Sequence, residues 1–266
     1  MSKTILITGS TDGIGLVTAK MLAGQGHKVL LHGRSRPKLD AALADVGAGS
    51  EGFLADLSSL AEVQTLAEAV TAKNNRVDVL INNAGILKSP SPMTPDGYDI
   101  RFVVNTFAPL VLTRRLLSIL PTDGRVVNLS SAAQAPIDPA AMAGQVALDD
   151  MGAYAQSKLA ITIWTQELAK ELPNGPAVIA VNPGSLLASK MVKEGFGVAG
   201  SDLSIGAKVL CDAALGDSFA AASGAYFDND AGRFAPPHPA AQNPDHVRSV
   251  MQGIETALAA LGQTSH

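Results

Sequence analysis

Thr4-Ile5-Leu6-Ile7-Thr8-Gly9-Ser10-Thr11-Asp12-Gly13-Ile14-Gly15 opens the chain with an apolar strand, a glycine-rich turn and the first turn of a helix. The glycines fall as G-x-x-x-G-x-G. Glycine permits the tight turn, close approach of backbone to a pyrophosphate, and tight packing of helix on strand. The helix beyond offers N–H donors and the positive end of its dipole to phosphates. Strand, turn and helix in this order point to a dinucleotide site. The bland alternative is a glycine-rich connection with no ligand.

The end of the second strand decides between cofactors. A carboxylate about 20 residues past the glycines would hold the ribose 2′-hydroxyl of NAD. Here the strand ends His32-Gly33-Arg34-Ser35-Arg36, without an acid. Arg34 offers a planar cation suited to a 2′-phosphate, so NADP(H) is expected over NAD(H). A solvated arginine at a helix start is the plain alternative. Asp12 in the loop adds no attraction for phosphate.

Farther along, short apolar runs alternate with longer amphipathic segments. Strands are expected at 4–8, 28–32, 52–55, 77–81, 125–129, 177–181 and 224–227. Helical patterns fill 14–24, 37–46, 60–73, 97–120, 153–172, 204–215 and 246–261. This alternation predicts parallel βαβ units in one doubly wound α/β domain over residues 1–266. Residues 132–152 and 186–202 break the rhythm just after strand ends, where open α/β sheets bind ligands. They are expected to wall the substrate pocket, with Met142, Met151, Met191 and Phe196 as apolar contacts. The tail 228–243 reads as irregular.

Composition narrows the function classes. The 266 residues are 47% hydrophobic with a net charge of −4, and no basic cluster exceeds Arg114-Arg115, which argues against nucleic acid. That pair reads as a solvated helix face. Cys211 is the only cysteine and reads as a core residue, so disulfides within the chain and thiolate metal sites are excluded. His32, His238 and His246 stand apart from one another and read as solvated or capping side chains, so no metal is expected. No apolar run of 18 residues is evident, and a cytoplasmic protein without membrane contact is expected.

Tyr154 and Lys158 lie in Ala153-Tyr-Ala-Gln-Ser-Lys-Leu-Ala160, four residues apart within a helical pattern. That spacing puts both side chains on one face, a turn apart. A free phenol titrates near ~10; an ammonium beside it favours the phenolate and brings it toward the working range. Asn128-Leu-Ser130-Ser131 ends another strand, and its hydroxyls suit a developing alkoxide. Asp56, after the third strand, suits an adenine amino group or a helix cap. Asn82 and Asn83 can pin neighbouring strands, while Ala84-Gly85 leaves room for a flat ring. Trp164 and Ile161 read as core or subunit interface.

Taken together, Thr8-Gly9-x-x-x-Gly13-Ile14-Gly15, Asp56-Leu57, Asn82-Asn83-Ala84-Gly85, Asn105, Ser131, Tyr154-x-x-x-Lys158 and Pro183-Gly184 resemble the short-chain dehydrogenase/reductase family over nearly the full length. The resemblance implies a Rossmann-type sheet of about seven strands. It implies Tyr154 as general acid or base, Lys158 lowering its pKa and holding nicotinamide ribose, and Ser131 rather than Ser130 on the substrate oxygen. Asn105 would order a proton-relay water at a helix irregularity. Cofactor contacts would come from Gly9, Ser10, Thr11, Asp12, Gly13, Ile14 and Gly15, from Arg34 and Ser35, and from Asp56 and Leu57. Asn83, Ala84, Gly85, Tyr154, Lys158, Pro183 and Gly184 would complete them. Ser131 and Tyr154 are 23 residues apart, a separation similar to the retinol-dehydrogenase-like branch. A threonine usual after Pro-Gly is missing, with Ser185 or Ser189 as stand-ins. With the arginine at the strand end and the apolar loops, the reading is hydride exchange between NADP(H) and a small, largely apolar carbonyl or alcohol, and the resemblance implies a homodimer or homotetramer built on long helices. A sugar-nucleotide epimerase or dehydratase, or a cofactor-sensing regulatory protein, are the alternatives on this fold.

Overall fold

The computed structural model describes residues 1–185, 187 and 202–263. Eight strands form one sheet: β1 Thr4–Ile7, β2 Lys28–Gly33, β3 Glu51–Leu54, β4 Val79–Asn82, β5 Arg125–Leu129, β6 Ala177–Asn182, β7 Tyr226–Asp228 and β8 Arg233–Ala235. Their order is β3-β2-β1-β4-β5-β6-β7-β8. The first seven run parallel; β8 is antiparallel to β7. The order reverses direction beside β1, between β2 and β4, and this switch point is where such sheets take ligands.

Helices cover both faces: α1 Gly13–Gly24, α2 Arg36–Val46, α3 Leu60–Lys73, α4 Ile100–Ile119, α5 Pro139–Met142, α6 Asp150–Glu171, α7 Leu203–Leu215 and α8 Pro244–Ala260. The strand residues divide by parity. Ile5, Ile7, Leu31, Ile81 and Val127 pack beneath α1, α2 and α7. Leu6, Leu30, Leu80, Val126 and Val178 pack on the other side, against α3, α4, α6 and α8. Most helices start on a side-chain cap. Ser59 accepts from Glu62 N while Glu62 accepts from Asp56 N, in the manner of a capping box. Asp149 caps α6 and Asn243 caps α8.

Three features differ from the sequence reading. The tail is not wholly irregular: β8 folds back on β7, and Phe219, Phe227 and Phe234 cluster with centroids 5.0–5.2 Å apart. That aromatic packing, across the sheet edge, was invisible in a Pro-rich stretch. The expected helix over 97–120 begins at Ile100 and contains a π-helical turn at Val103–Phe107. By length and mean hydropathy α4 also passes for a membrane span, although three arginines interrupt its apolar residues; it is mostly buried as a core helix, with Arg101 inside the protein and paired to Asp99 and Asp150. Finally, Arg114 is not simply solvated. It pairs with Glu255 at 2.5 Å, tying α4 to α8.

The helix α8 packs on α5 and α6, so part of the long-helix surface is used inside the chain. Val250 and Ile254 are fully buried there. Ile254→Ala should therefore lower the unfolding free energy by about 2–4 kcal/mol, read from denaturant melts. A loss near zero would mean that α8 is an appendage rather than part of the core.

Candidate functional site

A cavity of about 670 Å³ runs along the C-terminal ends of the central strands. Gly9, Gly13, Asn83 and Gly85 border one stretch; Ser131, Tyr154, Lys158 and Pro183 border another.

The glycine turn is held from two sides. Gly9 has φ +63°, and a Cβ there would stand 2.9 Å from Ala84 Cα, so no larger residue fits. Asn83 Nδ2 donates to Thr8 O and Gly9 O at 2.8 and 2.9 Å. Asn82 joins β4 to β5 by donating to Asn128 Oδ1 at 2.8 Å. A Cβ on Gly15 would lie 2.4 Å from Asn83 Nδ2, so Gly15 lets α1 close on this support and does not border the cavity. Ser10 does not face the cavity either. It is fully buried, donating to Ile7 O and accepting from His32 N, both at 2.9 Å. Thr11, Asp12 and Ile14 do border it.

His32 corrects the sequence reading: it is a buried bracket, not a solvated or capping side chain. Its Nδ1 accepts from Gly9 N and its Nε2 donates to Ala55 O, both at 3.1 Å. A protonated ring would set an N–H against the Gly9 N–H. Burial lowers its pKa from 6.5 to about 4, and the neutral form is the one the fold uses. His238 caps a short turn by accepting from Ala240 N, and His246 accepts from Ile137 N. No cluster of metal-binding side chains occurs among the described residues.

Beside the end of β2, Arg34 and Lys38 both border the cavity. Lys38 was missed in the sequence because it lies beyond the strand end, in the first turn of α2. Asp12, which accepts from Gly13 N, sits 3.4 Å from Lys38 Nζ. An exposed pair of this kind holds loosely. Ser35 caps α2 without a side-chain bond and is not part of the cavity lining. Gly33 is hemmed in: a Cβ there would meet Thr11 Cγ2 at 2.4 Å. Asp56 borders the cavity beside Leu57, yet its Oδ1 accepts from Ser58 N and Oγ at 2.9 and 2.8 Å. The helix cap itself is Ser59.

Tyr154, Lys158 and Ser131 come together at the other end. Ser131 and Tyr154 both border this end, with Ser131 near enough to the phenol to favour its ionised form. Lys158 Nζ lies 5.7 Å from the Tyr154 ring centroid and donates to Leu129 O at 2.7 Å. Burial lowers the lysine pKa to about 8, so the ammonium persists at neutral pH. Tyr154 departs from the sequence argument. Its phenol is pushed up by burial, and Ser131 only partly offsets this. In the chain alone, desolvation of the phenolate is the dominant effect. Tyr154 is thus held as the protonated acid.

The two serines part ways. Ser130 is 3% exposed, and its Oγ donates to Lys158 O and bonds Thr162 Oγ1. Ser131 borders the cavity that Tyr154 also borders. Asn105 lies in the π-turn, fully buried, and does not border the cavity. Its amide clamps Ile86 N and O and donates to Ser157 Oγ. Both of its N–H donors and its Oδ1 are thereby engaged inside the protein. The Pro183-Gly184-Ser185 turn is tied to the β7–β8 hairpin, with Asn229 donating to Pro183 O and Ser185 bonding Asp230. Ser185 borders the cavity with its N–H and hydroxyl bonded to Asp230, and Ser189 lies outside the described residues.

Of residues 132–152, only Ala132 and Ala133 line the cavity. Met142 is not a wall contact: it is 1% exposed and packs toward Gly253 on α8. Met151 is exposed at the start of α6. Met191 and Phe196 lie outside the described residues. The apolar lining of the cavity includes instead Ile86, Leu87, Val104 and Leu187. Trp164 and Ile161 are core residues, as is Cys211.

A family profile for short chain dehydrogenases matches residues 3–196. Human retinol dehydrogenase 13 is 36% identical over 200 residues, covering 68% of this chain and 58% of its own length. A crystal structure of an uncharacterised protein from Mycobacterium paratuberculosis has a TM-score of 0.80 at 28% identity, covering 97% of this chain and 93% of that one. A short chain dehydrogenase from Escherichia coli complexed with NADPH has a TM-score of 0.71 at 28% identity, covering 85% and 96%.

The His32 bracket gives a pH test. The unfolded ring takes a proton near 6.5, the folded one only near 4. Stability from this group is therefore full above pH 6.5 and is lost as pH falls toward 4, by up to about 3 kcal/mol. His32→Asn should lack that part of the pH slope in denaturant melts. Identical slopes for the two proteins across the window would rule the bracket out.

Proposed function

The chain belongs to the short-chain dehydrogenase/reductase family, on its retinol-dehydrogenase-like branch, and from that premise we propose an NADP(H)-dependent enzyme that interconverts a carbonyl and an alcohol on a small, largely apolar molecule. The observation that carries the reading is one cavity with Ser131, Tyr154 and Lys158 at one end and two cations, Arg34 and Lys38, at the other. NADP(H), when bound, supplies or accepts the hydride. The chain handles the proton. In reduction, the Ser131 hydroxyl donates to the carbonyl oxygen and Tyr154 passes its proton to the developing alkoxide. The Lys158 ammonium stabilises the phenolate left behind. In oxidation the same groups run backwards, with the phenolate as base.

Two features support NADP(H) over NAD(H). The strand end has no acid, and a side chain at Gly33 would collide with the Thr11 methyl, so an acid there is not easily accommodated. Without that acid, nothing at the strand end repels a 2′-phosphate. Arg34 makes no ion pair with the described residues and is free to receive one. The lining by Ile86, Leu87, Val104 and Leu187 supports an apolar substrate body around one carbonyl. A screen of NADPH consumption with aldehydes, ketones and quinones tests the activity directly.

Tyr154→Phe should bind cofactor normally and lose turnover by ~10²–10⁴-fold or more. Retention of above about a tenth of wild-type kcat would remove Tyr154 from the proton step. Arg34→Ala should weaken NADPH binding roughly ten- to a hundredfold while barely moving NADH, measured by titration at fixed ionic strength. Equal affinities of the unmodified protein for both cofactors would overturn the NADP(H) assignment.

A further inference from the structure

We propose that Tyr226 and Gln134 are positioning residues for the reaction, acting by gripping the backbone carbonyl of Ser131 and so aiming its hydroxyl. This rests on the proposed role of Ser131.

Two side-chain donors from distant parts of the chain converge on one oxygen. Gln134 Nε2 donates to Ser131 O at 2.9 Å, and the Tyr226 hydroxyl donates to it at 3.1 Å. Both lone pairs of that carbonyl are therefore engaged. The amide orientation of Gln134 follows from its other end, where Oε1 accepts from His238 N at 3.0 Å. A backbone N–H can only donate, so the Nε2 end must face Ser131. Tyr226 begins β7 and is 6% exposed. Burial and the carboxylates of Asp228 and Asp230 push its phenol well above the ordinary range, which keeps it a donor.

Ser131 needs such a grip. It lies just past the end of β5, and its own N–H and Oγ are not part of a strand ladder. Its neighbour Ser130 is fastened to α6, but that bond fixes only the preceding residue. Ser131 Oγ accepts from Ala133 N at 3.1 Å, which leaves its proton as the group free to donate. With the carbonyl held on one side and Oγ accepting on the other, the hydroxyl proton is left to turn into the cavity that Tyr154 also borders. A carbonyl released from both donors would let the Ser131–Ala132 peptide turn, and the hydroxyl with it. Small displacements of an oriented group are expensive for turnover and cheap for binding. Gln134 also links this peptide to the segment at His238, and Tyr226 links it to the last parallel strand.

The test is a double-mutant cycle on a substrate that the wild type turns over. Tyr226→Phe should lower kcat roughly tenfold, the effect of one misplaced donor, with the NADPH dissociation constant unchanged. In a Ser131→Ala background the same substitution should change kcat less than about twofold, because the group it positions is gone. Gln134→Leu, on a partly exposed loop, repeats the cycle if Tyr226→Phe folds poorly. Full kcat in both folded single variants would overturn the proposal. So would an equal loss with and without Ser131, which marks a general structural effect. If Ser131→Ala itself keeps wild-type kcat, the role of Ser131 fails first, and the positioning proposal fails with it.

Discussion

The Lys158 ammonium is buried against a carbonyl, Leu129 O, with no carboxylate facing it among the described residues. A cation placed this way is costly, and its depressed pKa records the cost. Surrounding structure must hold it there. The π-turn brings Asn105 to Ser157, the residue just before the lysine. Ser130 and Thr162 fasten the backbone of the lysine itself. The Gly85 backbone leaves the space above it open, since a Cβ there would sit 3.3 Å from Nζ. An unpaired charge in a half-closed cavity is a standing attraction for whatever negative charge a reaction develops beside it.

Local chemistry was legible in the sequence, and remote chemistry was not. The glycine turn and the Tyr154–Lys158 pair are set by residues within one turn of each other, so spacing alone announces them. The alternation of short apolar runs and amphipathic segments likewise announced the parallel sheet. Lys38, His32, Gln134 and Tyr226 reach the site through tertiary placement, and nothing beside them in the chain marks them. Met142 shows the reverse error. It looked like a pocket wall because the stretch around it is apolar and irregular, but α8 arrives from a hundred residues away and covers it. Tyr154 shows a third kind: the spacing brings the correct neighbour, Lys158, but burial, which a sequence does not display, sets the direction in which the phenol's pKa moves.

The site is also a junction of strand ends that belong to different halves of the sheet. Asn83 carries the end of β4 to the glycine turn after β1. His32 carries the end of β2 to that same turn and to β3. Asn182 and Asp230 carry the end of β6 to the β7–β8 hairpin. Each bond is ordinary in strength. Their joint effect is that the loops bordering the cavity share side-chain brackets with the sheet they grow from.

The π-turn at Val103–Phe107 holds one more residue than a regular helical turn would. An α-helix rotates roughly 100° per residue, so the helix before this turn and the helix after it are out of phase by about that angle. That offset lets Arg101 point toward α6 while the later part of α4 packs against α3. The register is arithmetic. Removing a single residue between Val103 and Phe107 would restore a regular helix of nearly the same composition and hydrophobicity. It would also swing one half of α4 around relative to the other, and either Asn105 would leave Ile86 or the apolar stripe would leave α3. Substitutions are absorbed side chain by side chain along this helix, but its length is a quantity that the fold counts.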